Sequence, residues 1–118
     1  MSAPMTGEAI VVAQVGDVDE DEGIVIDASV TGTVGDIALF FDGEDYYALD
    51  DTCTHETASL ADGWVEDGCV ECPLHAAKFC LTDGTVQSMP ATEDVYAHAV
   101  EVDGDDIKVF PNPERLAK

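Results

Sequence analysis

The stretch that decides the fold of this chain is Cys53-Thr54-His55 followed, after 16 further residues, by Cys72-Pro73-Leu74-His75. Each half supplies one thiolate and one imidazole. Thiolates favour iron–sulfur clusters, zinc or Cu(I), and imidazoles suit iron or zinc. Four such ligands on two short segments fit either a mononuclear Cys₂His₂ zinc site or a binuclear iron–sulfur cluster. In the cluster, two thiolates bind one iron and two imidazoles bind the other.

The order of these ligands along the chain favours the cluster. Structural zinc sites usually pair two cysteines and then two histidines. Here cysteine and histidine alternate, and only Thr54 separates the first pair. In the cluster interpretation, each segment sends its cysteine to one iron and its histidine to the other. A Cys₂His₂ zinc structural module is the alternative.

The motif resembles that of the Rieske family, and Cys72-Pro73-Leu74-His75 is close to the family's usual form. The flanking residues 64–68 and Lys78-Phe79 resemble the small Rieske ferredoxins of bacterial aromatic-ring dioxygenase systems, in a likeness that spans roughly residues 40–110. This resemblance implies stacked antiparallel sheets with a loop-built cluster-binding subdomain at one tip. It also implies one [2Fe–2S] cluster whose ligands are Cys53, His55, Cys72 and His75.

The family also carries a third loop, which covers the cluster and contains a proline. Pro90, in Met89-Pro90-Ala91, occupies the expected place. The alternative for Pro90 is an ordinary proline at the end of a strand.

The rest of the chain predicts an all-β domain, because short apolar runs alternate with acidic or glycine-containing turns. The predicted strands are 8–14, 23–28, 37–41, 46–49, 95–102 and 107–110. Two Asp-Gly turns, at 42–45 and 103–106, predict hairpins, because Asp-Gly tolerates positive φ. We expect a single Rieske domain over residues 1–118. Its basal β framework covers about 1–49 and 83–112, and a cluster-binding insertion made of loops covers about 50–82.

The net charge is −22, from 26 acidic and 4 basic residues. Such a surface repels phosphate backbones and anionic lipids, so we expect neither nucleic acid nor a membrane as partner. It attracts basic partners instead, although solubility or a saline habitat would also account for the acidity. The chain shows neither a signal peptide nor an apolar run of membrane-spanning length, which favours a cytoplasmic protein. Self-repulsion favours a monomer.

The resemblance implies a soluble one-electron carrier rather than an enzyme. It would take electrons from a flavin-dependent ferredoxin reductase and pass them to a terminal Rieske dioxygenase that acts on aromatic compounds, with both contacts transient. An oxygenase would need a further mononuclear iron site with two histidines and a carboxylate, and only His98 is left unassigned. A small electron-transfer subunit of another reductase complex, such as a nitrite reductase, is the alternative.

The resemblance also predicts a low reduction potential. High-potential relatives have an extra cysteine in each cluster loop, where this chain has Ala58 and Leu74. They also have a serine and a tyrosine that donate to the cluster sulfurs, where this chain has Ala77 and Phe79. Fewer donors stabilise the added electron less.

Four residues are assigned to packing rather than to chemistry. We expect Cys69 and Cys80 to be small, buried or half-buried thiols that are not joined to each other. His98 is predicted to be a partly buried strand histidine, and Trp64 to be a packing residue.

Overall fold

Two antiparallel sheets make up the described part of this computed structural model, which covers residues 9–51, 59–72, 78–87 and 95–112. The strands are β1 (Ile10–Gln14), β2 (Glu22–Ile26), β3 (Ile37–Phe41), β4 (Tyr46–Asp50), β5 (Trp64–Glu66), β6 (Cys69–Glu71), β7 (Lys78–Cys80), β8 (Ala97–Asp103) and β9 (Asp106–Phe110). The larger sheet has the strand order β1-β9-β8-β4-β3-β2, and the smaller has the order β5-β6-β7. A short helix, α1, spans Ala28–Thr31, and a 3₁₀ helix spans Leu60–Asp62.

The predicted all-β class is confirmed, and the six predicted strands form the larger sheet with ends that differ by a few residues. Two expectations were wrong. The segment 50–82 is more than loops, because it contains the whole three-stranded sheet. The second strand ends at Ile26, and α1 follows it. Asp27 caps α1 by accepting from the Ser29 N–H, and Gly32 ends it in the left-handed conformation.

Strand β3 lies between two separate cores. Ile37 and Leu39 belong to a cluster within the larger sheet's framework, together with Ile107 and Val109. Ala38 and Phe40 belong to a second cluster, which includes residues of the smaller sheet. Successive strand side chains point to opposite faces. Strand β3 is buried on both faces and therefore needs an unbroken apolar run. A strand with one solvent-exposed face would instead alternate apolar and polar residues.

Both predicted hairpins are present, and local hydrogen bonds explain the first. Oδ1 of Asp42 accepts the backbone N–H of Glu44 at 2.8 Å and that of Asp45 at 2.7 Å. The bond from Asp45 is the largest cause that holds the pKa of the Asp42 carboxyl below its ordinary value. Gly43 and Gly104 adopt the positive φ that these turns need. Within the described ranges, no helix is both long and apolar enough to span a bilayer.

Candidate metal centre

Cys72 is the one predicted cluster ligand that falls among the described residues. It directly follows β6, and its side chain is fully buried in the core cluster shared by the two sheets. Cys53, His55 and His75, and also Pro90 of the predicted covering loop, lie outside the described residues. The backbone at the end of β6 therefore sets the position of at least one candidate thiolate.

The three segments that carry the other predicted ligands and Pro90 are each flanked by described residues. Their flanking residues are Asp51 and Ser59, Cys72 and Lys78, and Gln87 and Val95. Gln87 donates its N–H to the Lys78 carbonyl at 2.7 Å, which joins the second segment to the third. Val95 and Leu60 belong to the same core cluster as Cys72. Residues at or beside the ends of all three segments are thus connected by this hydrogen bond and by one shared core cluster.

Glycines allow two of these close approaches. A Cβ on Gly63 would collide with the carbonyl oxygen of Glu71, the residue before Cys72. A Cβ on Gly84 would collide with the carbonyl oxygen of Val95, whose N–H donates to the Gly84 carbonyl at 2.9 Å. Gly84 also has a φ of +78°, which disfavours other residues. The backbone spacing around the candidate centre therefore depends on the absence of two side chains.

His98 has a structural role in β8, as predicted, and it is almost completely buried. Its Nδ1 accepts the backbone N–H of Asn112 at 2.8 Å, so this nitrogen carries no proton. Its Nε2 lies 2.9 Å from Oδ1 of Asp50 and must carry the proton that it donates to the carboxylate. The hydrogen bonds thus define a neutral imidazole with a single tautomer. Through Asp50, this histidine anchors the end of β4, which leads into the first predicted ligand segment.

Cys69 and Cys80 are free thiols that face each other across β6 and β7, and both are half-buried as predicted. Leu81 donates its N–H to the Gly68 carbonyl, and Cys80 donates its N–H away from β6, to Thr85. The two cysteines therefore form a non-hydrogen-bonded pair, the kind whose side chains lie closest. Burial first, and then the neighbouring Cys80, raise the pKa of the Cys69 thiol. Cys69 therefore stays protonated at neutral pH, unlike a metal-binding thiolate.

The prediction that Trp64 is a packing residue was wrong, because 60% of its surface is exposed. Trp64 begins β5, where the next residue, Val65, is buried, so the Trp64 side chain points to the opposite face of the strand. It pairs with Glu71, beside Cys72. Asp62, Glu66 and Asp67 are exposed on the same part of the chain, so this surface is acidic around one aromatic side chain.

Residues 8–111 match the family model of the Rieske [2Fe–2S] domain. This chain belongs to the Rieske [2Fe–2S] family. It is 46% identical, over 94 residues, to the ferredoxin subunit of 3-phenylpropionate/cinnamic acid dioxygenase from Escherichia coli (strain K12). That alignment covers 79% of this chain and 84% of the relative.

Solved structures agree with the family assignment. The ferredoxin of carbazole 1,9a-dioxygenase from Nocardioides aromaticivorans IC177 superposes with a TM-score of 0.80 and 29% identity, covering 89% of this chain and 99% of that one. A ferredoxin bound to its reduced oxygenase in carbazole 1,9a-dioxygenase superposes with a TM-score of 0.78 and 27% identity, covering 86% and 92%. These Rieske relatives are electron-transfer components of dioxygenase systems rather than catalytic enzymes.

The residues of this Rieske chain fit the [2Fe–2S] cluster of the family. Two thiols and two imidazoles form the required donor set, and the described thiol, Cys72, is buried in the core cluster shared by the two sheets. The family assignment also overturns the alternative of a zinc structural module.

Sequence reasoning missed the two buried aspartates before the first ligand segment, Asp50 and Asp51. Their position in the chain, with only Thr52 between Asp51 and Cys53, was the available signal. Among the 26 acidic residues of the chain, these two did not stand out.

Proposed function

We propose that this protein is a soluble one-electron carrier of an aromatic-ring dioxygenase system, with Cys53, His55, Cys72 and His75 as the ligands of its cluster. The observation that carries the proposal is that both Cys/His pairs are intact in a chain 46% identical to a dioxygenase ferredoxin subunit. That identity favours this function over a subunit of a nitrite reductase. When bound, a cluster of this type accepts and returns a single electron.

The donor set explains why such a carrier is reduced more readily than a plant-type ferredoxin. Two thiolates and two neutral imidazoles carry two negative charges fewer than four thiolates, so an added electron meets less repulsion. Rieske potentials lie at roughly −150 to +300 mV for this reason. Phe79 is fully buried and has no hydroxyl to donate toward a sulfur, and neither has Ala77. We therefore place this protein at the low end of that range.

The partners would be a flavin-dependent ferredoxin reductase and a terminal Rieske oxygenase, each bound transiently. The net charge of −22 supports association with basic surfaces at rates that fall as salt rises. It also supports a monomer, and we place the protein in the cytoplasm. The structure of a ferredoxin with its oxygenase in a relative supports the second contact.

Visible absorption and EPR spectra of the purified protein, before and after dithionite, test the proposal. We expect charge-transfer bands that bleach on reduction, a rhombic spin-half signal, and two iron and two sulfide per chain. Cys72→Ser should abolish these signals. Cys69→Ser, the same change three residues away, should keep them. A colourless protein, or equal effects of the two substitutions, would contradict the assignment, and a strongly positive midpoint potential would contradict the low-potential prediction.

A further inference from the structure

Asp51 joins the two ends of segment 52–58, which carries the proposed ligands Cys53 and His55. Its Oδ1 accepts the hydroxyl of Ser59 at 2.8 Å and the backbone N–H of Ala61 at 3.0 Å. Its carbonyl oxygen accepts the backbone N–H of Leu60 at 2.7 Å. One residue before the segment thus binds three consecutive residues after it. We call these three hydrogen bonds the Asp51 closure.

The environment of Asp51 indicates that its position is held tightly. Only 6% of its surface is exposed, and its own N–H donates to the Asp36 carbonyl at 2.9 Å. Burial of a carboxylate is costly unless hydrogen bonds replace its lost hydration. The two donors on Oδ1 supply that replacement, and they also determine where the Ser59 end of the segment lies.

The Asp51 closure also starts the 3₁₀ helix Leu60–Asp62. The first N–H groups of a helix have no partner within it and need outside acceptors. The Ser59 side chain makes no such cap, and Asp51 supplies acceptors for Leu60 and Ala61 instead. An acceptor from before the segment therefore determines where this helix begins.

This helix connects the Asp51 closure to Cys72, the residue that precedes the second ligand segment. Leu60 and Ala61 are buried in the core cluster that contains Cys72. Gly63, directly after the helix, lies against the carbonyl of Glu71. Asp51 is therefore connected through packed, buried groups to β6, the strand that Cys72 directly follows.

We propose that Asp51 is a positioning residue for the cluster. It joins the residues on either side of the segment that carries Cys53 and His55, and it connects them to β6, the strand that Cys72 directly follows. This inference rests on the proposed function, since it concerns the ligands assigned there. The closure needs an acceptor oxygen rather than a negative charge, so asparagine should preserve it and alanine should not.

The test compares the holoprotein with its Asp51→Ala, Asp51→Asn and Ser59→Ala variants. Asp62→Ala is the matched control, because it removes an exposed carboxylate from the adjacent helix. The measurements are the EPR spectrum after reduction, the midpoint potential, and the rate at which the visible bands fade in the presence of an iron chelator. Far-UV circular dichroism reports whether each variant is folded.

We expect Asp51→Ala to shift the EPR signal and the midpoint potential. Its visible bands should fade about tenfold faster in the presence of the chelator, as is typical when support around a metal ligand is lost. The visible bands of Ser59→Ala should fade at an intermediate rate. Asp51→Asn and Asp62→Ala should match the original protein. If Asp51→Ala does not fold, Ser59→Ala and Asp51→Asn still test the closure.

The proposal is overturned if Asp51→Ala keeps the original spectrum, potential and fading rate. It is also overturned if Asp51→Asn is as impaired as Asp51→Ala, since charge rather than acceptor geometry would then matter. If Asp51→Ala does not fold, unchanged fading of Ser59→Ala overturns it. An original protein without cluster signals would instead refute the proposed function.

Discussion

Replacing His98 by alanine tests whether the buried Asp50–His98–Asn112 arrangement stabilises the fold. The change removes the hydrogen bond from Nε2 to the Asp50 carboxylate and the acceptor of the Asn112 N–H. A hydrogen bond to a charged group contributes about 2 kcal/mol and a neutral one about 1 kcal/mol, so the expected loss is about 3 kcal/mol. For a domain of this size that lowers the melting temperature by about 12 °C, at roughly 4 °C per kcal/mol.

Thermal unfolding followed by far-UV circular dichroism at one scan rate measures this loss. His98→Gln is the informative second variant, because its amide can still donate to Asp50 while the Asn112 N–H loses its acceptor. We expect it to lose about 1 kcal/mol, or roughly 4 °C. Glu101→Ala, at an exposed position of the same strand, is the control and should change little.

The visible spectrum separates this structural role from ligation. His98 is not among the proposed ligands, so the folded His98→Gln protein should keep the spectrum of the original protein. A melting temperature of His98→Ala within about 3 °C of the original value would refute the energetic reasoning, since it corresponds to less than one neutral hydrogen bond. Loss of the visible bands in folded His98→Gln would refute the assignment of this histidine to the framework.

Three further predictions follow from the local geometry. Asp42→Ala should lower the free energy of unfolding at pH 7 by about 1 kcal/mol, the value of a typical turn hydrogen bond at a partly exposed site. Because folding lowers the pKa of this carboxyl, its contribution is present above the ordinary value of 3.8 and is lost as pH falls through the lower folded value. Denaturant titrations should therefore show a deficit that shrinks below about pH 4. Diamide should join Cys69 to Cys80 in a disulfide detectable by peptide mass spectrometry, because non-hydrogen-bonded pairs match disulfide geometry. Gly63→Ala should destabilise the protein by about 2 kcal/mol or more in denaturant titrations, because its Cβ meets backbone rather than a movable side chain.

A deficit of Asp42→Ala that stays constant down to pH 3 would mean that the turn does not depend on the ionised carboxylate. Persistent free thiols at Cys69 and Cys80 after diamide, in a protein that remains folded, would contradict the strand register. Gly35→Ala is the control for Gly63→Ala, because nothing lies within 4 Å of the added Cβ. Equal stability of the two alanine variants would contradict the close approach at Gly63.

The sequence by itself determined the family, the all-β class and both hairpins. Ligand chemistry is a property of residue types and spacing, so Cys53-Thr54-His55 and Cys72-Pro73-Leu74-His75 were informative without a structure. The Asp-Gly turns were equally informative because their hydrogen bonds are local: Asp42 binds residues only two and three positions away. The apolar run Ile37–Phe41 predicted its strand with the observed ends.

Only the tertiary structure decided what supports the candidate centre. His98 and Asp50 are 48 positions apart, and Asp51 binds across the segment to Ser59 and Ala61. Trp64 was predicted to be a packing residue and is exposed, because Val65, the next residue of β5, takes the buried face of that strand. Such contacts depend on which strands become neighbours and in which register, and many distant residues determine that jointly. The sequence around an aspartate beside a ligand segment is the same whether its carboxylate faces solvent or binds the residues on the far side of the segment. Only the packing of the folded chain distinguishes these two cases.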